Sequence, residues 1–265
     1  MRIKILHVWD QAGTASVIAK WQRKIGHDSV VIKNAKHDKL HQTSYYGGII
    51  IQNKIKFVLK CITLSKKYDI IHLHDAWFLP VILKTLYPRK KIVMHYHGSM
   101  IRDSMKETRR KVWERFVDII LVSTPDLLDF KYRLQPYYIP NPVDTDLFKS
   151  RSIPLNGRAL ISLKKDQPRD PIKSSLGIEV ILDTISKEEQ VDYERFPDRL
   201  SQYEYYIDFP QVKNKLIHAN SVCGLQAMSM GLKVISWDHS VKNTLPEIHR
   251  PENVVRELEK IYATL

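Results

Sequence analysis

The first 32 residues confine this chain to a narrow set of folds. Ile3 to Trp9 is a short apolar strand, Asp10 to Thr14 a glycine-bearing turn, Ala15 to Lys24 a helix, and Ser29 to Ile32 a second apolar strand. Strand, tight turn, helix, strand is a βαβ opening, and two strands joined through a helix pair in parallel. The pattern continues. Phe57 to Lys66 reads as a helix and Asp69 to His74 as a buried strand. A helix over Leu79 to Leu86 ends near Pro88, and strands follow at Lys91 to His95 and Asp118 to Ser123, the latter leading into a helix opened by Pro125. Alternation of this kind predicts a doubly wound parallel sheet with helices on both faces.

A proline-containing turn over 141–149 (NPVDTDLFK) leads into a second set of elements. Strands are expected at 159–163, 203–209 and 232–237, with helices at 178–185, 219–231 and 251–262. The expected organisation is therefore two α/β domains, 1–145 and 146–250, followed by a C-terminal helix within 251–265 that returns to the first domain. The 265 residues suffice for two such units. Two cysteines, Cys61 and Cys223, are too far apart in sequence to suggest a metal knuckle or a disulfide framework. Neither a secretory leader nor an apolar run of transmembrane length is visible, so a cytoplasmic protein is expected.

The net charge of +13 is carried by one half of the chain. Residues 1–150 hold 26 Lys and Arg against 13 Asp and Glu, whereas the remainder balances at 16 each. A basic first half suits an anionic partner: a phosphorylated substrate, an anionic membrane or a nucleic acid. The segment 101–116 (IRDSMKETRRKVWERF) is amphipathic, with Arg102, Lys106, Arg109 and Arg110 largely off its apolar stripe. A solvated helix face is the plainer reading of that segment. The sharper one is a membrane patch, placing the protein peripherally at the inner membrane face. Nucleic acid is disfavoured as a partner, because aromatic residues do not interleave with the basic runs.

Chemistry concentrates at 221–238 (SVCGLQAMSMGLKVISWD). Ser221 suits a helix N-cap, Gly224 permits close backbone approach, and Gly231 ends the helix before a buried strand. A helix opened in this way presents backbone N–H groups and a positive dipole end, which favour phosphate. Gly13 in the first domain offers a similar turn. His97 follows the strand 91–95, at the carboxyl end where open α/β sheets place their sites. His72 and His74, beside Asp75, could be read with His95 and His97 as a metal cluster. That reading is set aside for want of a supporting carboxylate or cysteine spacing. Asp144 and Asp146 are read as turn and helix-capping residues.

Six segments in order resemble retaining GT-B glycosyltransferases of family 4: KILHVWDQAGTASVIAK, DIIHLHDAW, VMHYHGS, DIILVSTPDLLDF, YYIPNPVDTDLF and TLPEI. The 221–238 stretch resembles that family's donor-site helix, with Leu225-Gln226-Ala227-Met228 where Leu-Glu-Ala-Met is usual. The resemblance implies a GT-B fold, two Rossmann-like domains whose parallel sheets face across a cleft, in a compact form with a shortened second domain. It implies a hexosyltransferase of glycan biosynthesis that uses a nucleotide-sugar, without metal or other cofactor, on a saccharide or lipid-linked acceptor. It assigns His97 a place beside sugar and acceptor, with His74 and Asp75 on the acceptor side. Donor contacts fall to Gly13, Lys164, Lys173, Ser221, Cys223, Gly224, Leu225 and Gln226. The family's glutamate accepts hydrogen bonds from the ribose, and Gln226 keeps an acceptor oxygen without the charge. The motif's earlier glutamate falls on His218. These departures keep a non-catalytic nucleotide-sugar-binding relative open, and the basic half keeps a nucleic-acid-binding protein open.

Overall fold

The computed structural model describes residues 2–76, 78–98, 101–102, 107–163, 179–186, 191–212 and 215–265. It divides into two compact units, Met1–Pro142 with Pro251–Leu265, and Val143–Arg250.

The first unit opens with β1 (Lys4–Val8), α1 (Thr14–Lys24) and β2 (Asp28–Asn34), followed by α2 (Gln42–Tyr45), β3 (Ile49–Ile51) and α3 (Lys54–Ser65). Then come β4 (Ile70–His74), α4 (Leu79–Leu86), β5 (Lys91–Tyr96), α5 (Glu107–Trp113), β6 (Ile119–Val122) and β7 (Tyr137–Tyr138). All seven strands form one sheet in the order β3-β2-β1-β4-β5-β6-β7, and every pairing is parallel. β4 is buried at every position, as a strand covered on both faces must be. One face packs on α3 and α4 through Phe57, Cys61, Leu79 and Leu83. The other packs on α1 and the chain's last helix through Val17, Ile18, Trp21, Val254, Val255 and Leu258. The turn after Thr124 is a short 3-10 helix, Pro125–Asp129, in place of the expected α-helix.

The second unit contains β8 (Arg158–Leu163), β9 (Ile181–Ser186), α6 (Phe196–Leu200), β10 (Tyr205–Asp208), a two-stranded antiparallel pair β11 (Gln211–Val212) and β12 (Lys215–Leu216), α7 (Val222–Met230), β13 (Lys233–Ser236) and β14 (Val241–Lys242). Its main sheet runs β14-β13-β10-β8-β9, parallel except for the β13–β14 edge. Residues 181–186, expected to be helical, form a parallel strand. The run is rich in β-branched residues, and Asp183 forms an ion pair with Arg158 on the neighbouring strand. The last helix, α8 (Pro251–Tyr262), belongs to the first unit. Its Glu259 meets His27 at 2.6 Å, and its Tyr262 hydroxyl lies 2.6 Å from His72 Nδ1.

Candidate functional site

In the first unit the candidate residues gather at the carboxyl ends of β1, β4 and β5. Register places His7 beside His72, and His74 beside His95. Side chains of a strand alternate between faces, so these four and His97 share one face. Five imidazoles form a buried ladder. Ring centroids are 4.3 Å apart for His72 and His74, 4.8 Å for His7 and His72, and 4.4 Å for His95 and His97. His7, His72, His74 and His95 have no exposed surface, and His97 closes the ladder at a half-buried rim.

Three of the rings are linked by hydrogen bonds. His7 Nε2 meets Gln22 Oε1 at 2.8 Å, His7 Nδ1 meets His74 Nε2 at 3.0 Å, and His74 Nδ1 meets His97 Nε2 at 2.9 Å. Beyond His97, the Asn141 side chain is its hydrogen-bond partner, and Thr14 Oγ1 donates to Asn141 Oδ1 at 3.2 Å. Desolvation pushes His7 and His97 down to about 4, and holds His72, His74 and His95 well below the usual histidine range. All five are therefore neutral at physiological pH. His97 is suited to exchange hydrogen bonds with a polar substrate, and too weakly basic to store a proton there.

The backbone around this end is strained. Trp9, Ala12 and Asp75 all have positive φ (75°, 50° and 54°), in loops that follow β1 and β4. Non-glycine residues seldom adopt this region, and such residues cluster at functional sites. Asp75 Oδ1 accepts from the His97 backbone N–H at 3.2 Å. Gly98 follows at φ 95°, and a Cβ there would lie 1.9 Å from Arg102 Nη1.

Gly13 has a use different from the one expected. It is the left-handed N-cap of α1 (φ 79°), but the helix start is already served from within. The buried Asp10 carboxylate accepts from Ala15 N at 2.9 Å, Ser16 N at 3.4 Å and Ser16 Oγ at 2.6 Å, while Thr14 N donates to Gln11 O. No N–H of residues 14–16 is left for a phosphate.

The second unit repeats the device. Ser221 caps α7 by accepting from Gly224 N at 3.1 Å, as expected. Asp208, at the carboxyl end of β10, accepts from Ser221 N at 2.8 Å and from Asn220 Nδ2 at 3.1 Å. A Cβ on Gly224 would lie 2.1 Å from Asp208 Oδ2, so the space the glycine opens is filled by this carboxylate. Burial pushes Asp208 up to about 6. Burial, aided by that charge, pushes the Cys223 thiol up to about 11, which leaves it a neutral lining group. Leu225 is core. Gln226 is only 3% exposed, and its Nε2 faces the Tyr193 hydroxyl at 3.4 Å inside the unit, so it is turned away from a ribose at the surface. His218 lies exposed with its ring stacked on Trp237, centroids 4.6 Å apart. Lys164 and Lys173 lie outside the described residues.

The expected membrane patch is not assembled from the described residues. Arg110 is buried and ion-paired with Glu114, and it donates to Lys131 O at 2.7 Å. Arg102 binds both Asp126 oxygens, at 2.7 and 2.9 Å. An arginine spent on an internal carboxylate is not available to a lipid headgroup. Lys106 and the Arg109 side chain lie outside the described residues. Among the described residues no helix is long and apolar enough to cross a membrane. Asp144 Oδ1 accepts from Asp146 N at 3.0 Å and Leu147 N at 3.4 Å, the capping turn read from the sequence.

Sequence reasoning missed His7, Gln22, Asp10 and Asp208. Asp10 had a usable signal, since it lies just after β1 and just before α1; Asp208 ends β10, with β11 and β12 between it and α7.

No family model and no curated protein sequence matches the chain. Solved structures do. The chain is similar to an alpha-glucosyltransferase in complex with UDP and a 13-mer DNA containing a central A:G mismatch, with TM-score 0.61, 12% identity, and coverage of 99% of this chain and 92% of that one. A second alpha-glucosyltransferase structure, with UDP-glucose and DNA containing an abasic site, matches at TM-score 0.59 and 14% identity, over 92% and 82% of the two chains. The UDP-GlcNAc 2-epimerase from Methanocaldococcus jannaschii matches at TM-score 0.54 and 10% identity, over 98% and 100%. The fold is of the GT-B type, two α/β units each built on a mainly parallel sheet.

Proposed function

We propose that this protein transfers a sugar from a nucleotide-diphosphate donor to an acceptor hydroxyl. The observation that carries the reading is the fold match over nearly the whole chain to proteins solved with UDP and UDP-glucose. Two features support it. The ordered motifs resemble retaining GT-B enzymes, and the strained loops of the first unit lie at the carboxyl ends of parallel strands. In this reading the second unit holds the donor through the loop 218–224 and the basic segment containing Lys164 and Lys173. The first unit holds the acceptor against His97 and Asp75, with neutral His97 as a hydrogen-bond partner. The transfer is proposed to be retaining and to need no magnesium or manganese. Of Asp144 and Asp146, the spaced carboxylates that most invite a hard cation, Asp144 accepts instead from the backbone N–H groups of Asp146 and Leu147.

A thermal-shift panel of UDP-, GDP-, ADP- and TDP-sugars tests donor binding, because a ligand that binds only the native state raises Tm. One nucleotide class should stand out. If none shifts Tm at millimolar concentration, the reading fails. Release of nucleoside diphosphate that depends on an acceptor then separates a transferase from a non-catalytic binder, and from an epimerase of the kind that shares the fold.

A second reading concerns the acceptor. The excess charge of +13 lies in residues 1–150, and the alpha-glucosyltransferase structures contain DNA. A nucleic-acid acceptor predicts a DNA mobility shift that weakens steeply with salt. A saccharide acceptor predicts none.

A further inference from the structure

The histidine ladder exceeds what acceptor binding requires, and one part of it has the form of a metal site. We propose that His74, His95 and His97 bind a divalent ion of the zinc class. Their candidate ligand nitrogens lie within 4.8 Å of one another. All three side chains come from the carboxyl ends of β4 and β5, so the sheet fixes their spacing. This inference does not depend on the glycosyl-transfer reading.

His95 supplies the independent observation. It has no exposed surface, one ring nitrogen has only the Ile139 backbone for a partner, and the other has none. A buried imidazole nitrogen left without a partner is costly, and a metal bond would satisfy it. The other two ligands are already supported from behind. His74 Nε2 is bonded to His7, and His7 to Gln22, which leaves His74 Nδ1 as a lone pair on the side of His97. His97 has Asn141 behind it. Second partners of this kind orient metal-bound histidines and fix their tautomers.

Binding needs a small change. His74 Nδ1 and His97 Nε2 now share a proton at 2.9 Å. Tetrahedral bonds of about 2.0 Å would set them about 3.3 Å apart. His97, at the rim, is the ring with room to tilt, and its proton moves from Nε2 to Nδ1, where the Asn141 amide oxygen accepts it. No proton is lost, because all three ligands stay neutral. Asp75, whose carboxylate accepts from the His97 N–H, places a negative charge beside the site. Three imidazoles favour zinc, cobalt, nickel or copper over magnesium or manganese.

The test uses the full-length protein with cobalt as the spectroscopic probe and zinc as the competitor. The expected result is a visible absorption band of tetrahedral cobalt at one equivalent, abolished by zinc and not by magnesium. His95→Phe keeps a ring in the ladder and removes both nitrogens, at the cost only of the contact with the Ile139 backbone. It should weaken zinc binding by about 100-fold or more, given that loss of a supporting partner alone costs 10–100-fold. His97→Gln, at the rim, should do the same if His95→Phe fails to fold. His72→Phe should leave binding intact. Absence of the cobalt band in the wild-type protein, or zinc affinity unchanged in His95→Phe, overturns the proposal. So does loss of binding in folded His72→Phe with retention in His95→Phe, which would place the ion among His7, His72 and His74.

Discussion

The Asp208 carboxylate occupies the space that a side chain on Gly224 would need: a Cβ built there falls 2.1 Å from Asp208 Oδ2. The glycine therefore admits an internal anion to the start of α7. Asp10 makes the same arrangement at the start of α1. In each unit an internal carboxylate sits at a helix start, but to different extents: Asp10 takes the Ala15 and Ser16 N–H groups, whereas Asp208 takes only that of Ser221.

Gly224→Ala should consequently destabilise the second unit. Asp208 is backed by β10 and cannot retreat as a flexible side chain would, so the overpacking cost should be about 1–3 kcal/mol. Gly224→Ala combined with Asp208→Ala should recover much of that loss. Urea denaturation of the single and double variants measures the coupling. Independent, additive losses would show that the two residues are not in conflict.

Gln226 marks where sequence and structure part. A family glutamate at this position would face ribose, whereas the amide here is buried against Tyr193. Gln226→Glu should cost about 1–3 kcal/mol of stability by burying a charge without a cationic partner, and should not tighten nucleotide binding. Calorimetry with the best donor from the thermal-shift panel decides. A gain in affinity would return residue 226 to the donor site.

The parallel sheet of the first unit was legible because its strands are continuous apolar runs separated by helical periods, and only that arrangement buries both faces. The second sheet was less so. Residues 181–186 are a short apolar run, which periodicity alone does not assign to helix or strand. The site was legible only where it is local. Ser221 caps its helix as its position suggested, and His97 stands at a strand end. The ladder was not, because His7 reaches His72 through strand register across 65 residues of sequence. The amphipathic pattern at 101–116 misled for a related reason: Arg110 lies off the apolar stripe, yet Glu114 one turn later draws it inside.

Arg110 and Glu114 yield a prediction that separates structure from membrane binding. Glu114 also accepts from Tyr96 and the Arg133 N–H, so Arg110→Ala strands a buried carboxylate. It should cost about 3–5 kcal/mol. Arg102, half-buried and paired with Asp126, should cost distinctly less when replaced by alanine. Sedimentation with anionic vesicles should show no binding for wild type. Binding that disappears in a still-folded Arg102→Ala variant would restore the membrane patch.

The ladder predicts a sharp acid transition in the metal-free protein. His7 and His97 titrate near 4 when folded, and His72, His74 and His95 lower than usual, against about 6.5 for an unfolded histidine. Between those values the unfolded chain binds more protons than the native one. Stability therefore rises with pH through this window and is lost as pH falls below about 6.5, by up to about 1.4 kcal/mol per pH unit for each histidine. Asp208 acts in the opposite sense, since its folded value of about 6 lies above the ordinary carboxylate value of 3.8. It favours the native state on acidification over 3.8 to 6, as does buried Asp10, also raised by desolvation, but these are two groups against the five histidines. Net destabilisation should win, with unfolding between about pH 4 and 6 in the presence of chelator. His95→Phe removes one of the five titrating groups and should move the midpoint to lower pH, provided its packing is retained. Circular dichroism against pH for wild type and variant measures this. A wild-type midpoint below pH 4 would mean that the imidazoles do not bear the burial described for them.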